Sequence, residues 1–282
     1  NNTFQGKRQT ACMAEGSYKM VNSNVGNIEI KGAVKKFINA QNEEITALNG
    51  IDLTIEAGSF ISLIGPSGCG KSTLLRLIAG LIQKDGGEIT LDRQDIKKPG
   101  ADRGFMFQEN TLFPWLSIRD NVAFGLKARG IYKQNKDDVD RFLEMVGLKD
   151  FAKYYPHQLS GGMCQRASLA RALVGKPKVL LLDEPLGALD AFTRMNIQDE
   201  ILRIWKEHNM TMIMVTHDVD EAVYLSDKVV VMSPRPARIE ETVDIELARP
   251  RARSSGDFLN YRAKILKILH FGGQIQEPQY YL

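Results

Sequence analysis

The sequence predicts an α/β fold with a mainly parallel sheet at its core, an antiparallel β part near the N-terminal end and an inserted helical subdomain. The apolar runs Val179–Leu182 and Met212–Val215 are nearly continuous, which is typical of strands buried on both faces of a parallel sheet. Residues from about 109 to 170 carry one helical pattern after another with no convincing strand between them, so this segment is predicted as the helical subdomain.

The period of the apolar residues places the individual elements. Short alternating or continuous apolar segments predict strands at Ile28–Ile30, Ile51–Ile55, Phe60–Ile64, Glu88–Leu91, Gly104–Phe107, Val179–Leu182, Met212–Val215 and Val229–Met232. Apolar residues three to four positions apart predict helices at Ser72–Ala79, Ile118–Ala128, Asp137–Val146, Gly161–Leu173, Phe192–His208 and Asp218–Leu225. Strands and helices that alternate in this way predict an α/β domain with the helices packed on its sheet.

Composition divides the chain into a main domain and two tails. Residues 1–27 are polar and aperiodic and are predicted to be a flexible tail, residues 28–250 form the main domain, and residues 251–282 form a basic tail. Within the second tail, the amphipathic stretch Phe258–Phe271 either packs on the main domain or is partly disordered. The net charge is only +3 and the excess of basic residues lies in the tails, so no nucleic-acid partner is expected.

Three further observations bear on the setting in which the chain works. No apolar run approaches the roughly 20 residues that span a bilayer, and no signal peptide pattern is visible at the N-terminus. Any membrane role is therefore expected to come through a partner. Three widely spaced cysteines, Cys12, Cys69 and Cys164, fit a reducing compartment better than a disulfide framework or a zinc site.

A glycine-rich segment between the predicted strand Phe60–Ile64 and the following helix predicts a phosphate-binding loop. Its glycines allow the backbone N–H groups to turn towards phosphate oxygens, and the helix N-terminus adds partial positive charge. Lys71 is expected to reach the β- and γ-phosphates, and the Ser72 hydroxyl to bind Mg²⁺. The chain therefore contains a predicted P-loop NTPase (RecA-like) core. The residues that fit the motif G-x-x-x-x-G-K-[ST] are Gly65, Pro66, Ser67, Gly68, Cys69, Gly70, Lys71, Ser72 and Thr73.

Two acidic residues at the end of a predicted buried strand suggest the other half of a phosphate site. Asp183 follows Val179–Leu182 directly, and at the C-terminal end of a parallel strand it is expected to hold Mg²⁺, directly or through water. Glu184 is expected to orient or deprotonate a water molecule that attacks the γ-phosphate.

The segment Leu159–Met163 reads L-S-G-G-M and precedes Asp183 by a short interval. Together with the two phosphate motifs it resembles the ATP-binding-cassette (ABC) ATPases, whose signature is close to L-S-G-G-Q. Met163 departs from the commonest glutamine, and Cys164 stands where a basic or polar residue is frequent. Other positions match the family in order: Phe37 as the aromatic residue under adenine, Gln108 in the Q-loop, Ala188-Leu189-Asp190 as the D-loop, and His217 as the switch histidine.

The resemblance implies the remaining roles in an ATP site shared by two cassettes, whether identical or not, in a head-to-tail dimer. The catalytic residues implied are Glu184, His217 and Gln108, and the Mg²⁺ ligands are Ser72, Gln108 and Asp183. The nucleotide contacts implied outside the phosphate loop are Phe37, Ser160, Gly161, Gly162 and Asp190, with Ser160 and Gly162 closing over the γ-phosphate held by the other cassette.

A narrower resemblance, to bacterial importers of nitrate, sulfonates and taurine, is carried by Arg103–Gln108, Phe113–Trp115, Asn121–Leu126, Gly187–Arg194 and Ser233–Ile239. It implies an ATPase subunit on the cytoplasmic face of the inner membrane, bound to permease subunits and served by an extracytoplasmic binding protein. The solute stays open, because the permease and the binding protein select it.

Two alternatives to this interpretation are a soluble cassette ATPase and a regulatory module that does not hydrolyse ATP. A soluble cassette ATPase of translation usually carries two cassettes, and one of DNA repair carries a long coiled coil that the segment from Lys71 to Ser160 has no room for. A regulatory module without hydrolysis does not need Glu184 and His217.

The apolar residues that follow Gln108 are expected to serve both core packing and docking, with Trp115 mostly packed.

Overall fold

The structure is a computed structural model that describes residues 25–109, 111–187 and 189–270, with the side chain of His270 excepted. Most of the predicted N-terminal tail, including Cys12, lies outside the described residues. So do Ala188 of the predicted D-loop and the end of the predicted tail from Phe271 onward. The boundaries of the predicted domains therefore stay predictions.

The strands are β1 (Ile28–Ile38), β2 (Glu44–Ile55), β3 (Phe60–Ile64), β4 (Gly86–Leu91), β5 (Gln94–Asp95), β6 (Arg103–Met106), β7 (Val179–Asp183), β8 (Thr211–Val215), β9 (Lys228–Met232) and β10 (Ile239–Asp244). The helices are α1 (Lys71–Ala79), α2 (Ile118–Ala128), α3 (Lys136–Met145), α4 (Gly161–Leu173), α5 (Ala191–His208), α6 (Val219–Leu225) and α7 (Gly256–His270). Short 3₁₀ turns connect the helices of the subdomain.

Two sheets form the framework. In the larger sheet the strand order is β10-β9-β3-β8-β7-β6, and every neighbouring pair is parallel except β10 with β9. The smaller sheet has the order β2-β1-β4-β5 and is antiparallel throughout. A mainly parallel sheet, an antiparallel N-terminal part and a helical subdomain are thus present, and the predicted fold class is confirmed.

The larger sheet lies between two apolar cores because successive side chains of a strand point to opposite faces. Leu180 and Leu182 of β7 join the core that includes the buried side chains of α2, α3 and α4. Val179 and Leu181 join the second core, which packs α1 and the antiparallel sheet against the other face. Strands buried on both faces explain why the central apolar runs of the sequence are continuous rather than alternating.

The segment after β10 packs on the domain, which is one of the two possibilities that the sequence left open. Phe258 and Ile265 of α7 are buried in the core that also holds the helical subdomain. Arg251 is buried and donates hydrogen bonds to the carbonyl oxygens of Val223 and Ser226, close to the C-terminal end of α6. Desolvation lowers the pKa of this guanidinium to about 10. In the described part of the chain, no helix is long and apolar enough to cross a membrane.

Candidate nucleotide site

The loop after the central strand β3 has the backbone geometry of a phosphate cradle. Gly65 and Gly70 adopt φ angles of 156° and 122°. A Cβ atom at Gly65 would lie 2.6 Å from the Met232 carbonyl oxygen, and one at Gly70 would lie 2.9 Å from Leu48 Cδ2. Only glycine fits at these two positions without displacing its neighbours. The loop leads directly into α1, so the unpaired N–H groups of the first helical turn belong to the same cradle.

Lys71 is held inside this loop by neutral partners. Its ammonium group donates hydrogen bonds to the carbonyl oxygens of Gly65 at 2.8 Å and Pro66 at 2.9 Å. Across the described ranges, no carboxylate lies within ion-pair distance of the Lys71 ammonium group. The ammonium group therefore has no direct ion-pair partner, although it interacts at longer range with Asp183, and it is available to an anionic ligand.

Asp183 and Ser72 form a buried oxygen pair beside the loop. Asp183 is only 1% exposed, and its Oδ1 atom accepts a hydrogen bond of 2.8 Å from the Ser72 hydroxyl. Its other oxygen, Oδ2, is buried without a hydrogen-bond partner. Burial raises the pKa of this carboxyl group, since the charged form loses its hydration. A bound cation would reverse that cost, so the unsatisfied carboxylate oxygen fits a divalent ion.

The oxygen pair cannot be a complete metal site by itself. Among the described residues, no group of three or more His, Cys, Asp or Glu side chains could hold a metal ion. Mg²⁺ typically takes one or two protein ligands and completes its shell with water and substrate phosphates. The sparse donor set of Ser72 and Asp183 therefore fits Mg²⁺ held jointly with a nucleotide, rather than a dedicated protein cage.

The three residues with predicted catalytic roles lie together at the mouth of the loop. Glu184 Oε2 accepts a hydrogen bond of 2.8 Å from Gln108 Nε2, and His217 Nδ1 lies 3.7 Å from the same oxygen. The backbone of Glu184 is in the left-handed region, with φ 48°, and its N–H group donates to the Val215 carbonyl oxygen at 3.0 Å. This backbone strain, about 1–3 kcal/mol, aims a carboxylate at the cleft.

These residues surround one open cleft of about 530 Å³. Phe37 at the far end of β1 is 42% exposed, and the Lys35 ammonium group lies 5.3 Å from its ring centroid. The lining of the cleft includes an aromatic ring that could contact a base and a glycine-rich loop that could contact a polyphosphate. Its lining consists of Phe37, Ala47, Gly65, Ser67, Gly68, Gly70, Lys71, Ser72, Thr73, Gln108, Glu184, His217 and Arg235.

Several predicted contacts do not line this cleft. Cys69 of the phosphate loop has a buried side chain, and the Pro66 carbonyl oxygen accepts a hydrogen bond from Lys71. Ser160 caps the N-terminus of α4, where its hydroxyl accepts from the Met163 N–H group, and Gly161 and Gly162 form the first turn of that helix. Asp190 caps α5 in the same way by accepting from Thr193 N–H at 3.0 Å. Nucleotide binding by Ser160, Gly161, Gly162 and Asp190 stays a prediction.

Arg194 links the predicted D-loop to the loop that carries His217. Its guanidinium donates to the Leu189 carbonyl oxygen at 3.1 Å and lies 3.6 Å from an Asp218 carboxylate oxygen and 3.7 Å from one of Glu221. Burial raises the pKa of Glu221, which also accepts a hydrogen bond of 2.8 Å from the Thr216 hydroxyl. The residues on both sides of His217 are thereby fixed to the start of α5.

The aromatic residues after Gln108 form an exposed cluster, and the expectation that Trp115 is mostly packed is wrong. Trp115 is 71% exposed. The buried Asn121 side chain bonds to the backbone N–H and carbonyl groups of Phe113 and to the Leu116 carbonyl oxygen, which fixes the loop. Phe113 packs between Trp115 and Phe124, at centroid distances of 5.4 and 4.5 Å, and Trp115 is left on the outside. We call Phe113, Trp115 and Phe124 the aromatic patch.

Sequence reasoning missed Arg235 as a residue of the site. Its segment was noted only as part of a resemblance, and no local motif marks it. The signal lay in the topology, because β9 runs parallel to β3 with Val231 beside Ile64. The residues that follow β9 must therefore lie next to the loop that follows β3, as the carboxyl ends of parallel strands do.

Comparison with known proteins places the chain in a family. The family model described as ABC transporter matches residues 48–187. An uncharacterised ABC transporter ATP-binding protein of Methanocaldococcus jannaschii is 50% identical over 83% of this chain and 88% of its own length. The aliphatic sulfonates import ATP-binding protein SsuB is 47% identical in Bacillus cereus, over 86% of this chain and 96% of the relative. The Bacillus subtilis protein of that name is 48% identical, over 78% of this chain and 86% of the relative.

Solved structures agree with this assignment. A dimeric ATP-binding cassette bound to ADP and Pi superimposes with a TM-score of 0.71 at 30% identity, covering 78% of this chain and all of that chain. A second dimeric structure, of a bacterial ABC transporter cassette, gives a TM-score of 0.72 at 31% identity with the same coverage. With its phosphate loop, acidic strand end and signature segment in one cassette fold, the chain belongs to the ABC transporter family and is an ATP-binding ATPase of that family.

Proposed function

We propose that this chain is the ATP-hydrolysing subunit of an ABC importer that drives uptake of a small solute through separate membrane subunits. The observation that carries the proposal is the convergence of Gln108, Glu184 and His217 at the mouth of the phosphate loop, next to the buried pair Asp183 and Ser72. A carboxylate beside the phosphate end of the cleft repels a bound polyphosphate, so a protein that only binds nucleotide does not need one there.

Substrate binding relies on a positive charge that has no direct ion-pair partner in the protein. The Lys71 ammonium group exchanges its two carbonyl partners for the β- and γ-phosphate oxygens of ATP, which are better acceptors because they are charged. Backbone N–H groups of the loop and of the first turn of α1 bind the remaining phosphate oxygens. Phe37 provides a surface on which the adenine ring stacks, since its ring is open to the cleft.

The Ser72 hydroxyl and the Asp183 carboxylate are the side chains that would hold Mg²⁺, with Gln108 as a third candidate. An ion held there would supply positive charge to offset the negative charge that develops during phosphoryl transfer. Asp183 is kept in place by its Ser72 hydrogen bond and by complete burial, which restricts its rotamers before the ion arrives.

Glu184 is the residue placed to take a proton from the attacking water. Its Oε2 atom accepts a hydrogen bond from Gln108 and lies close to His217, and the side chain lines the cleft, where a water molecule can reach the carboxylate. His217 is 70% exposed on its side chain and is free to turn towards the γ-phosphate. Proton transfer to a positioned base contributes about 10²–10⁴-fold to rate, and positioning and electrostatics supply most of the rest.

A second cassette completes the site in this proposal. Ser160, Gly161 and Gly162 sit at the N-terminus of α4 and do not line the chain's own cleft. The N–H groups of such a helix end favour an anion, and in a head-to-tail dimer they would close over the γ-phosphate bound by the partner. The two solved cassettes that superimpose on this chain are described as dimers, which supports the arrangement.

The relatives support the choice of solute and of membrane partners. Several proteins at 47–48% identity are named as import subunits for aliphatic sulfonates, so a small sulfonate is proposed as the solute. The aromatic patch is proposed to receive a cytoplasmic helix of the permease, because Trp115 and Phe124 are exposed and the loop that carries Phe113 and Trp115 begins near Gln108. The subunit would then lie peripherally on the cytoplasmic face of the membrane, supplied by an extracytoplasmic binding protein.

The test reconstitutes the full chain with its candidate permease and binding protein in vesicles. Hydrolysis is measured with and without those partners, and uptake of a labelled alkanesulfonate is measured with external binding protein and internal ATP. We expect the complete assembly to hydrolyse faster and to accumulate the sulfonate only with ATP. If the chain hydrolyses ATP but no permease binds it or stimulates its hydrolysis, a soluble ATPase is favoured instead.

A further inference from the structure

The turn after β9 brings a second cation into the nucleotide cleft. Arg235 is exposed, lines the cleft, and donates a hydrogen bond from Nε to the carbonyl oxygen of Gly68 in the phosphate loop. Gly68 has a φ angle of 71°, and a Cβ atom there would lie 3.1 Å from the terminal Nη2 of Arg235. The guanidinium is therefore packed directly against the backbone of the loop.

The backbone around Arg235 is fixed, so its position is not that of a loose surface side chain. Ser233 and Arg238 close the turn with two hydrogen bonds of 3.0 Å, one through the Ser233 hydroxyl. Ala237 then exchanges backbone hydrogen bonds of 3.0 Å with Ala47 and Asn49 of β2. The turn is thus anchored to the antiparallel sheet that also carries Phe37.

The charge of Arg235 has no acidic partner in the protein. Throughout residues 25–109, 111–187 and 189–270, no carboxylate lies within ion-pair distance of its guanidinium, and its hydrogen bond to Gly68 goes to a neutral oxygen. Arg249, not far along the chain, shows the contrasting case, since its guanidinium is paired with Asp227. Arg235 and Lys71 line the same cleft and neither is in an ion pair, so together they add positive potential to that cleft, an arrangement that favours an anion.

We propose that Arg235 is a second phosphate-binding cation, which contacts the polyphosphate chain of ATP beside Gly68 while Lys71 contacts it from within the loop. This inference rests on the proposed function and deepens it. A guanidinium presents several donors in a planar fork that matches phosphate oxygens, and one bond to Gly68 leaves the others free. The chemistry recognised is the phosphate charge, not the base or the ribose.

The experiment measures affinities of the full chain for ATP, ADP, AMP and adenosine by calorimetry or competition. Arg235→Ala should weaken ATP binding about three- to tenfold, a modest factor because the group is exposed and screened by solvent. The loss should shrink in the order ATP, ADP, AMP, and vanish for adenosine. Arg238→Ala is the matched control, since it removes the same charge from the same turn without touching the phosphate loop, and it should leave ATP affinity unchanged.

A second variant separates charge from bracing of the loop. Arg235→Gln keeps a donor for the Gly68 carbonyl oxygen but removes the charge, so it should lose as much ATP affinity as Arg235→Ala, whereas Arg235→Lys should retain most of it. Wild-type ATP affinity in Arg235→Gln would overturn the proposal, and so would an equal loss for adenosine. Lys71→Ala, measured in parallel, tests the site itself: if it too binds ATP normally, the proposed function fails and not only the role of Arg235.

Discussion

Replacing Glu184 by Gln should separate hydrolysis from nucleotide binding. The amide is nearly isosteric, so it fits the left-handed backbone and the Gln108 contact, but it cannot take a proton from water. Loss of a positioned general base lowers the rate constant by about 10²–10⁴-fold, equivalent to about 3–5.5 kcal/mol in the barrier. Binding should not weaken, because Glu184 contacts neither Lys71 nor Ser72 in the structure.

The same substitution should lower the pKa of the neighbouring Asp183 carboxyl group. The negative charge of Glu184 is one of the causes that raise the pKa of Asp183, after desolvation by burial. Removing it lowers that pKa, so Asp183 stays ionised to lower pH. The substitution also removes a negative charge from beside the cation site, so a gain in divalent-cation affinity is not expected.

The assay is single-turnover and steady-state hydrolysis, with ATP affinity measured separately by calorimetry and dimer formation by light scattering. Glu184→Gln should bind ATP at least as tightly as wild type and accumulate as an ATP-bound dimer, with turnover reduced by two orders of magnitude or more. Glu240→Gln, on the exposed strand β10, is the control and should behave as wild type. Wild-type turnover in Glu184→Gln would refute the assignment of the base, and lost ATP affinity would refute the separation of roles.

Three other substitutions test separate parts of the site. Lys71→Ala should weaken ATP binding, measured by calorimetry, roughly ten- to hundredfold, as expected for the loss of a charge-assisted bond of about 1.5–3 kcal/mol. Unchanged ATP affinity would contradict the role of this loop. Arg194→Gln should lower turnover about two- to fivefold at unchanged ATP affinity, because it loosens the loop around His217. Arg203→Gln, on the exposed side of the same helix, is the control and should not change turnover. Equal effects of the two substitutions would show that Arg194 has no special role. A cysteine at Trp115 should cross-link to a permease helix with an efficiency that changes on adding ATP, and normal transport by Trp115→Ala would exclude the aromatic patch as a docking surface.

Much of the framework was predictable because its signals are local. The central strands β3, β7, β8 and β9 were placed within a residue or so, since burial on both faces demands unbroken apolar runs. The phosphate loop was equally visible, because glycines at fixed positions next to a lysine and a serine are needed for its backbone shape. In such cases one stretch of sequence contains the whole physical requirement.

The elements that sequence reasoning missed depend on contacts between distant segments. β5 consists of Gln94 and Asp95, two exposed polar residues that pair with β4, and nothing in their own sequence indicates a strand. β10 is mostly exposed along Ile239–Asp244, so its apolar pattern is weak, and pairing with β9 decides its conformation. β1 has irregular register beyond Ile30, which breaks the alternation that a strand prediction uses.

The same distinction explains the outcome at Trp115 and Arg235. An apolar residue in an apolar segment predicts burial on average, but the hydrogen bonds of Asn121 to the loop backbone decide which aromatic ring faces inward. Arg235 joins the cleft through the order of strands in the sheet, which no single motif encodes. Sequence thus indicates which residues can do chemistry, and the tertiary fold determines which of them meet.

Helix α4 connects the two surfaces that an importer subunit must couple. Its N-terminus carries the signature residues capped by Ser160, and near its C-terminus Arg171 donates hydrogen bonds of 2.8 and 2.7 Å to the carbonyl and hydroxyl oxygens of Thr111. The Arg171 guanidinium also lies 5.9 Å from the ring centroid of Phe113 in the aromatic patch.

Thirteen helical residues span about 20 Å, so the end that would meet a partner's γ-phosphate and the end that is bonded to Thr111 belong to one rigid element. Gln108 enters the same loop from the other side, directly from the catalytic cleft. The loop from Gln108 to Trp115 is therefore connected to both halves of the ATP site, to the chain's own half through Gln108 and to the half offered to the partner through α4. We expect a displacement of the aromatic patch to reach both halves, which would let hydrolysis depend on the proposed membrane partner.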